Sequence, residues 1–173
     1  MAMHLAADMN PHVFGIGITD ASSLSGFHSV AVLIDKQKAR AARGPAAHSS
    51  ELLPAVISEA NLHATSGCYT CLWNFSGNAN QFAKFSSMFP KDFKRQEVLS
   101  AILEAVRYWE SPPKGGAGTT TGRKAAMEGL VSKYGVHWAG LCKINGVKVA
   151  VGGFNKGDEV CTAFPLRGAN ANF

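Results

Sequence analysis

The chain has 173 residues, 46% of them hydrophobic, and carries 17 Lys and Arg against 12 Asp and Glu for a formal charge of +5. That length supports one core of ordinary size and is too short for two well-buried ones, so a single domain over residues 1–173 is expected. The basic balance suits a polyanionic partner without identifying one, and the apolar runs, VAVLI at 30–34, LPAVI at 53–57 and VKVAV at 147–151, fall far short of a membrane span.

In chain order, MAMHLAADMN shows no basic region followed by an apolar stretch, so no secretory signal is expected within it, and His4 is expected in a frayed terminus. The segment HVFGIGITDASSLSGFHS, at 12–29, holds His12 and His28 among Gly, Ser and small apolar residues, with Asp20 its single acid. GFHSVAVLID, at 26–35, is β-branched and apolar and predicts a strand with His28 at its entry. Residues 36–60, rich in charge and broken by Gly-Pro and by Pro54, predict one or two short helices. CYTCLWNF is a further strand candidate, followed by the polar stretch SGNANQ.

The clearest helix is 92–110. Val98, Leu99, Ile102, Leu103, Val106 and Trp109 recur at the spacing that gathers apolar groups on one face, and Asp92 is the expected N-cap. SPPKGGAGTTTG then predicts an exposed loop, with a shorter helix, RKAAMEGLVSKYG, closed by Gly135. GGAGTTTGRK lacks the phosphate-loop pattern; it is expected to be mobile and, ending in Arg123 and Lys124, to lie near a substrate groove. Three strands follow, HWAGLCKI, VKVAVGGF and EVCTAFPL, joined at Asn145-Gly146 and at Asn155-Lys156-Gly157-Asp158, which predicts an antiparallel meander over 137–165. The expected class is α+β, helices packed on antiparallel sheet with a C-terminal three-stranded meander.

The four cysteines include Cys68-Tyr-Thr-Cys71, a pair without the matched second pair that a zinc ribbon needs, since Cys142 and Cys161 are widely spaced. Small core residues in a strand are the simpler reading, and no metal is expected. Trp73, Trp109 and Trp138 are likewise expected in the core, and His48 and His63 have no evident partner.

Two imidazoles that titrate near neutrality can act as one general base and one general acid, and RNA rewards that pairing directly. The base removes the proton of a ribose 2′-oxygen, that oxygen attacks the adjacent phosphorus in line, and the acid protonates the departing 5′-oxygen. A cation beside the phosphate would stabilise the equatorial oxygens, and a hydroxyl with an aromatic ring would hold the base.

Three blocks in order carry a resemblance. H-V-F-G at 12–15 followed by G-F-H-S at 26–29 resembles the two-histidine signature of the EndoU family of RNA endonucleases. MFPKDFKRQEVLSAILEAV at 88–106 is similar to the Phe-Pro stretch and helix of bacterial EndoU toxin domains, and GVKVAVGGFNKGDEVCTAFPL resembles the family's closing hairpin, which ends in Ser/Thr-x-Tyr-Pro. The resemblance implies an EndoU-like fold, His28 as general base and His12 as general acid, Thr162 contacting the base, and no cofactor. Phe164 stands where the family usually has tyrosine, so stacking on a nucleotide survives while a phenol hydrogen bond does not. Gly15 is followed by Ile16 where many members have an acid, and His28 by Ser29 where many have Asn or an aromatic. The family's lysine usually precedes the Phe-Pro block; here the sequence is AKFSSMFPK, which makes Lys84 the nearest candidate and Lys91 the next.

The reading that results is a metal-independent endoribonuclease leaving 2′,3′-cyclic phosphate and 5′-hydroxyl ends, with Phe164, Lys91 and Arg123 binding RNA, tRNA being one candidate. The likeness to toxin versions implies secretion or delivery within a larger toxin, action in the target-cell cytoplasm, and a cognate immunity protein. Two rivals stand beside it: a Cys-His hydrolase or transferase built from Cys142 or Cys161 with His137, and an inactive RNA-binding module of the same fold.

Overall fold

The computed structural model describes residues 2–6, 13, 16–20, 23–26, 28–29, 55–63, 65–74, 84–114 and 118–173. Among them, strands β1 (His4–Leu5), β2 (Ile16–Asp20), β3 (Ser23–Gly26), β4 (Ala55–His63), β5 (Cys68–Asn74) and β6 (Lys84–Met88) precede helices α1 (Arg95–Glu110) and α2 (Thr120–Tyr134). Strands β7 (Trp138–Ile144), β8 (Val147–Lys156) and β9 (Glu159–Pro165) follow. The class is α+β, with a four-stranded mixed sheet in the order β1-β9-β8-β7, an antiparallel hairpin β2-β3 and a three-stranded antiparallel sheet β4-β5-β6.

The expected meander is present. Asn145 and Gly146 both take positive φ, 51° and 77°, the two-residue turn that a tight hairpin requires, and it sets Ile144 against Val147. Strand alternation then divides the sheet into two apolar faces. Trp138, Cys142, Ile144, Val149, Val151 and Ala163 join Val98, Ala101, Ile102, Ala105 and Val106 of α1 in one buried cluster. Ala139, Leu141, Ala150 and Leu166 join Leu130 of α2 in another. Helix α1 approaches β7 so closely that a Cβ on Gly140 would lie 1.9 Å from the Ala105 carbonyl oxygen, so only glycine fits there.

Several expectations need correction. Residues 55–60 are strand, not helix, because Ala55–His63 pairs along its length with β5 and that tertiary pairing outweighs the local Pro and charge signals. Helix α1 starts after Asp92: the N-cap is Lys94, whose N–H donates to the Glu97 carboxylate at 2.6 Å. Helix α2 begins inside the Thr-rich stretch expected to be loop, since the Thr119 hydroxyl caps it by accepting from Gly122 N–H at 2.9 Å; Gly135 closes it as expected. His4 is not frayed: β1 runs parallel to β9, with His4 N–H donating to the Asp158 carbonyl. Most of the strand expected at 26–35 lies outside the described residues; Gly26 ends β3, and His28 and Ser29 follow it.

Cys68 and Cys142 are buried in the core, in β5 and β7, as expected. So is Trp138, while Trp109 packs partly buried against the same cluster; the side chains of Cys71 and Trp73 lie outside what is described, as does His48.

Candidate active site

The site is assembled around His28. The β2-β3 hairpin pairs Ile16 with Gly26, Gly17 with Ser25 and Ile18 with Leu24, so the chain entering β2 and the chain leaving β3 run side by side. The His28 N–H extends that ladder by donating to the Val13 carbonyl at 2.7 Å. On its other side the His28 carbonyl accepts from Phe89 N–H at 2.9 Å, which joins the segment to the end of β6. Phe89, fully buried, anchors this junction in the core. The Phe-Pro block thus positions the histidine through its backbone.

His28 is only 8% exposed. Its Nδ1 lies 2.8 Å from the Ser87 carbonyl oxygen and 3.2 Å from Ser86 Oγ. A carbonyl only accepts, so Nδ1 carries the proton and the basic lone pair belongs to Nε2. One face of the ring stacks on Phe164, centroids 4.7 Å apart at 28°. The ring is therefore fixed in tautomer and tilt by β6 and β9, the condition for an imidazole to act in one direction.

Thr162 and Phe164 are two apart on β9 and share a face, and Thr162 pairs directly with Phe154 of β8. Phe154 is the one large hydrophobic side chain exposed among the described residues, at 37%, and its ring lies 6.2 Å from that of Phe164. Thr162 Oγ1 is buried and finds no hydrogen-bond partner among the described residues. An unsatisfied hydroxyl beside a stacked imidazole and two phenyl rings marks this end of β8 and β9 as a place where a polar, planar group can be received.

The other expected site residues divide. His12 lies outside the described residues, although its neighbour Val13 is buried and bonded to His28. Lys84 opens β6, opposite Trp73 and two positions before Ser86. Exposed Lys91, on the turn after β6, holds its ammonium 5.1 Å from the centre of the Tyr69 ring. Arg123 is buried and donates to the Pro113 carbonyl at 2.6 Å, which is the geometry of a loop anchor; the reading of it as an RNA ligand gains no support from that. For the cysteine rival, burial drives the Cys142 thiol far above its ordinary range, so it supplies no thiolate.

Sequence reasoning missed Ser86 and Ser87, noticed only as the residues occupying the place of an expected lysine, and it missed Phe154. The signal for Phe154 was available: in VKVAVGGF the strand alternation puts a large apolar residue next to a turn, on the strand adjacent to that of Thr162 in a meander already expected.

The family described as Bacterial EndoU nuclease matches residues 7–167, a span that takes in His12, His28, the β6 serines, Thr162 and Phe164. No curated protein and no solved structure matches the chain.

Proposed function

The chain belongs to the bacterial EndoU nuclease family, a membership that implies endoribonuclease activity on RNA, and from that premise we propose that His28 and His12 carry the reaction as base and acid. His28 Nε2 takes the proton of a ribose 2′-hydroxyl; the 2′-oxygen bonds to the adjacent phosphorus as the bond from phosphorus to the 5′-oxygen breaks; His12 gives its proton to that leaving oxygen. The products are a 2′,3′-cyclic phosphate and a 5′-hydroxyl, and a second proton exchange resets the two rings.

The observation that carries this reading is the clasp on His28: Nδ1 bonded to the Ser87 carbonyl leaves Nε2 as the base, and the bond from its N–H to Val13 O ties it to the residue next to His12. Lys84, one strand repeat before Ser86, is assigned the phosphate charge in the transition state, and Thr162 and Phe164 the nucleobase at the cut. Lys91 contributes sequence-independent backbone contact.

The reading extends to biology. A ribonuclease free in its producer would degrade that cell's RNA, so the domain acts as a toxin delivered in a larger protein to the cytoplasm of a target cell. A cognate immunity protein then binds it by covering the His28 surface. An RNA oligonucleotide carrying a single 2′-deoxynucleotide 5′ to the cut tests the chemistry: cleavage there is lost and persists at unmodified positions. Cleavage that ignores the missing hydroxyl refutes the transesterification.

A further inference from the structure

We propose that His137, together with Phe154, forms a subsite for the RNA phosphate and base next to the nucleotide at the cut; the inference rests on the RNA-cleaving reading above and deepens it. From His28 the rings continue in a row. Phe164 stacks on His28 at 4.7 Å, Phe154 follows at 6.2 Å, and the His137 imidazole meets Phe154 edge-on at 5.1 Å and 83°. These steps lie within the separations at which aromatic rings engage one another or a base. The row leaves the buried histidine and emerges at an exposed phenyl and an exposed imidazole, so it leads from the reacting end of the site into solvent.

His137 is held by design of the backbone. Its N–H donates to the Gly153 carbonyl at 2.8 Å. Its ring Nδ1 lies 3.2 Å from the Asn155 N–H and 3.1 Å from the Asn155 carbonyl oxygen. The Asn155 N–H aimed at Nδ1 opposes a proton on that nitrogen, so the neutral ring accepts through Nδ1 and carries its proton on Nε2, as the protonated ring also does. Such a donor beside an exposed ring suits an anionic oxygen next to a planar base, the repeating unit of single-stranded RNA.

The test measures binding separately from cleavage. A fluorescent 2′-fluoro RNA hexanucleotide, which lacks the attacking hydroxyl, is titrated against the wild type, His137→Ala, His137→Gln and Phe154→Leu. Loss of one bond to a charged oxygen predicts about tenfold weaker binding for His137→Ala. Gln, whose amide reaches the Nε2 position, recovers most of it, and Phe154→Leu weakens binding comparably. Unchanged hexanucleotide binding in His137→Ala overturns the subsite, as does no binding to the wild type, or a Gln variant as weak as Ala with both melting at lower temperature. Should the wild type fail to cut any RNA while the binding losses appear, the nuclease reading falls and the subsite stands.

Discussion

An imidazole removes a proton only through the nitrogen that carries none, and at His28 the Ser87 carbonyl decides which nitrogen that is. Replacing His28 by Ala removes the base proposed above while the backbone bonds to Val13 and Phe89 remain available, so the turnover rate is expected to fall about 10²–10⁴-fold with the fold intact, as read by initial rates and by circular dichroism. A variant that retains wild-type rate would remove His28 from the chemistry. Phe164→Ala takes away the stacking surface rather than a reacting group. Its expected cost, about 1–3 kcal/mol per stacked base, should fall mainly on KM. A loss confined to kcat would mean that the ring serves only to hold the imidazole. At this scale the sequence named residues that the fold brings together, since His28 stacks on Phe164 and Thr162 lies two positions before it on the same strand. It said little about what holds them: Ser86 and Ser87 act through an Oγ and a main-chain carbonyl, and a carbonyl has no signature in a residue letter.

At the scale of elements, the hairpin β2-β3 brings His28 beside Val13, since cross-strand pairing turns sequence separation into adjacency. The C-terminal meander was legible for a related reason: Asn145-Gly146 is a local turn signal that needs no tertiary information. By contrast, Ala55–His63 was misread because its strand character comes from pairing with β5, and β1 because a two-residue parallel strand exists only where β9 receives it. The packing of α1 on β7 offers a direct test. Gly140→Ala drives a methyl into the Ala105 carbonyl, an overpacking worth about 1–3 kcal/mol or more, and lowers the melting temperature by several degrees. Gly129, inside α2 with open space around its Cα, is the matched control: Gly129→Ala should raise the melting temperature, through a helix-propensity gain of about 1 kcal/mol. Equal effects at the two positions would mean that the close approach is not a constraint.

At the scale of the whole molecule, one core cluster joins Val13, the β6 exit at Phe89, α1 and the central strands, so the site is built on the same packing that stabilises the fold. That core also buries two thiols. Burial pushes Cys68 from its ordinary 9.0 to about 11 and moves Cys142 upward as well. The folded state therefore keeps protons that the unfolded chain releases above about pH 9, and stability is expected to be level below that pH and to decline as pH rises from 9 towards 11. Urea titrations at stepped pH check this, and stability that increases across that interval would contradict the burial of the thiols. Whole-molecule features resisted sequence reading because they depend on which elements share a core, and that is decided by pairing and packing over the full chain.

Whether His12 and His28 act on one phosphodiester is decided by end-group analysis of RNA cleaved in the presence of EDTA. Wild-type protein is expected to leave 2′,3′-cyclic phosphate and 5′-hydroxyl ends at a rate unaffected by chelation, with near-complete loss of both ends in His12→Ala and in His28→Ala. Products bearing 5′-phosphate, dependence on a divalent ion, or full activity after either substitution would contradict that expectation.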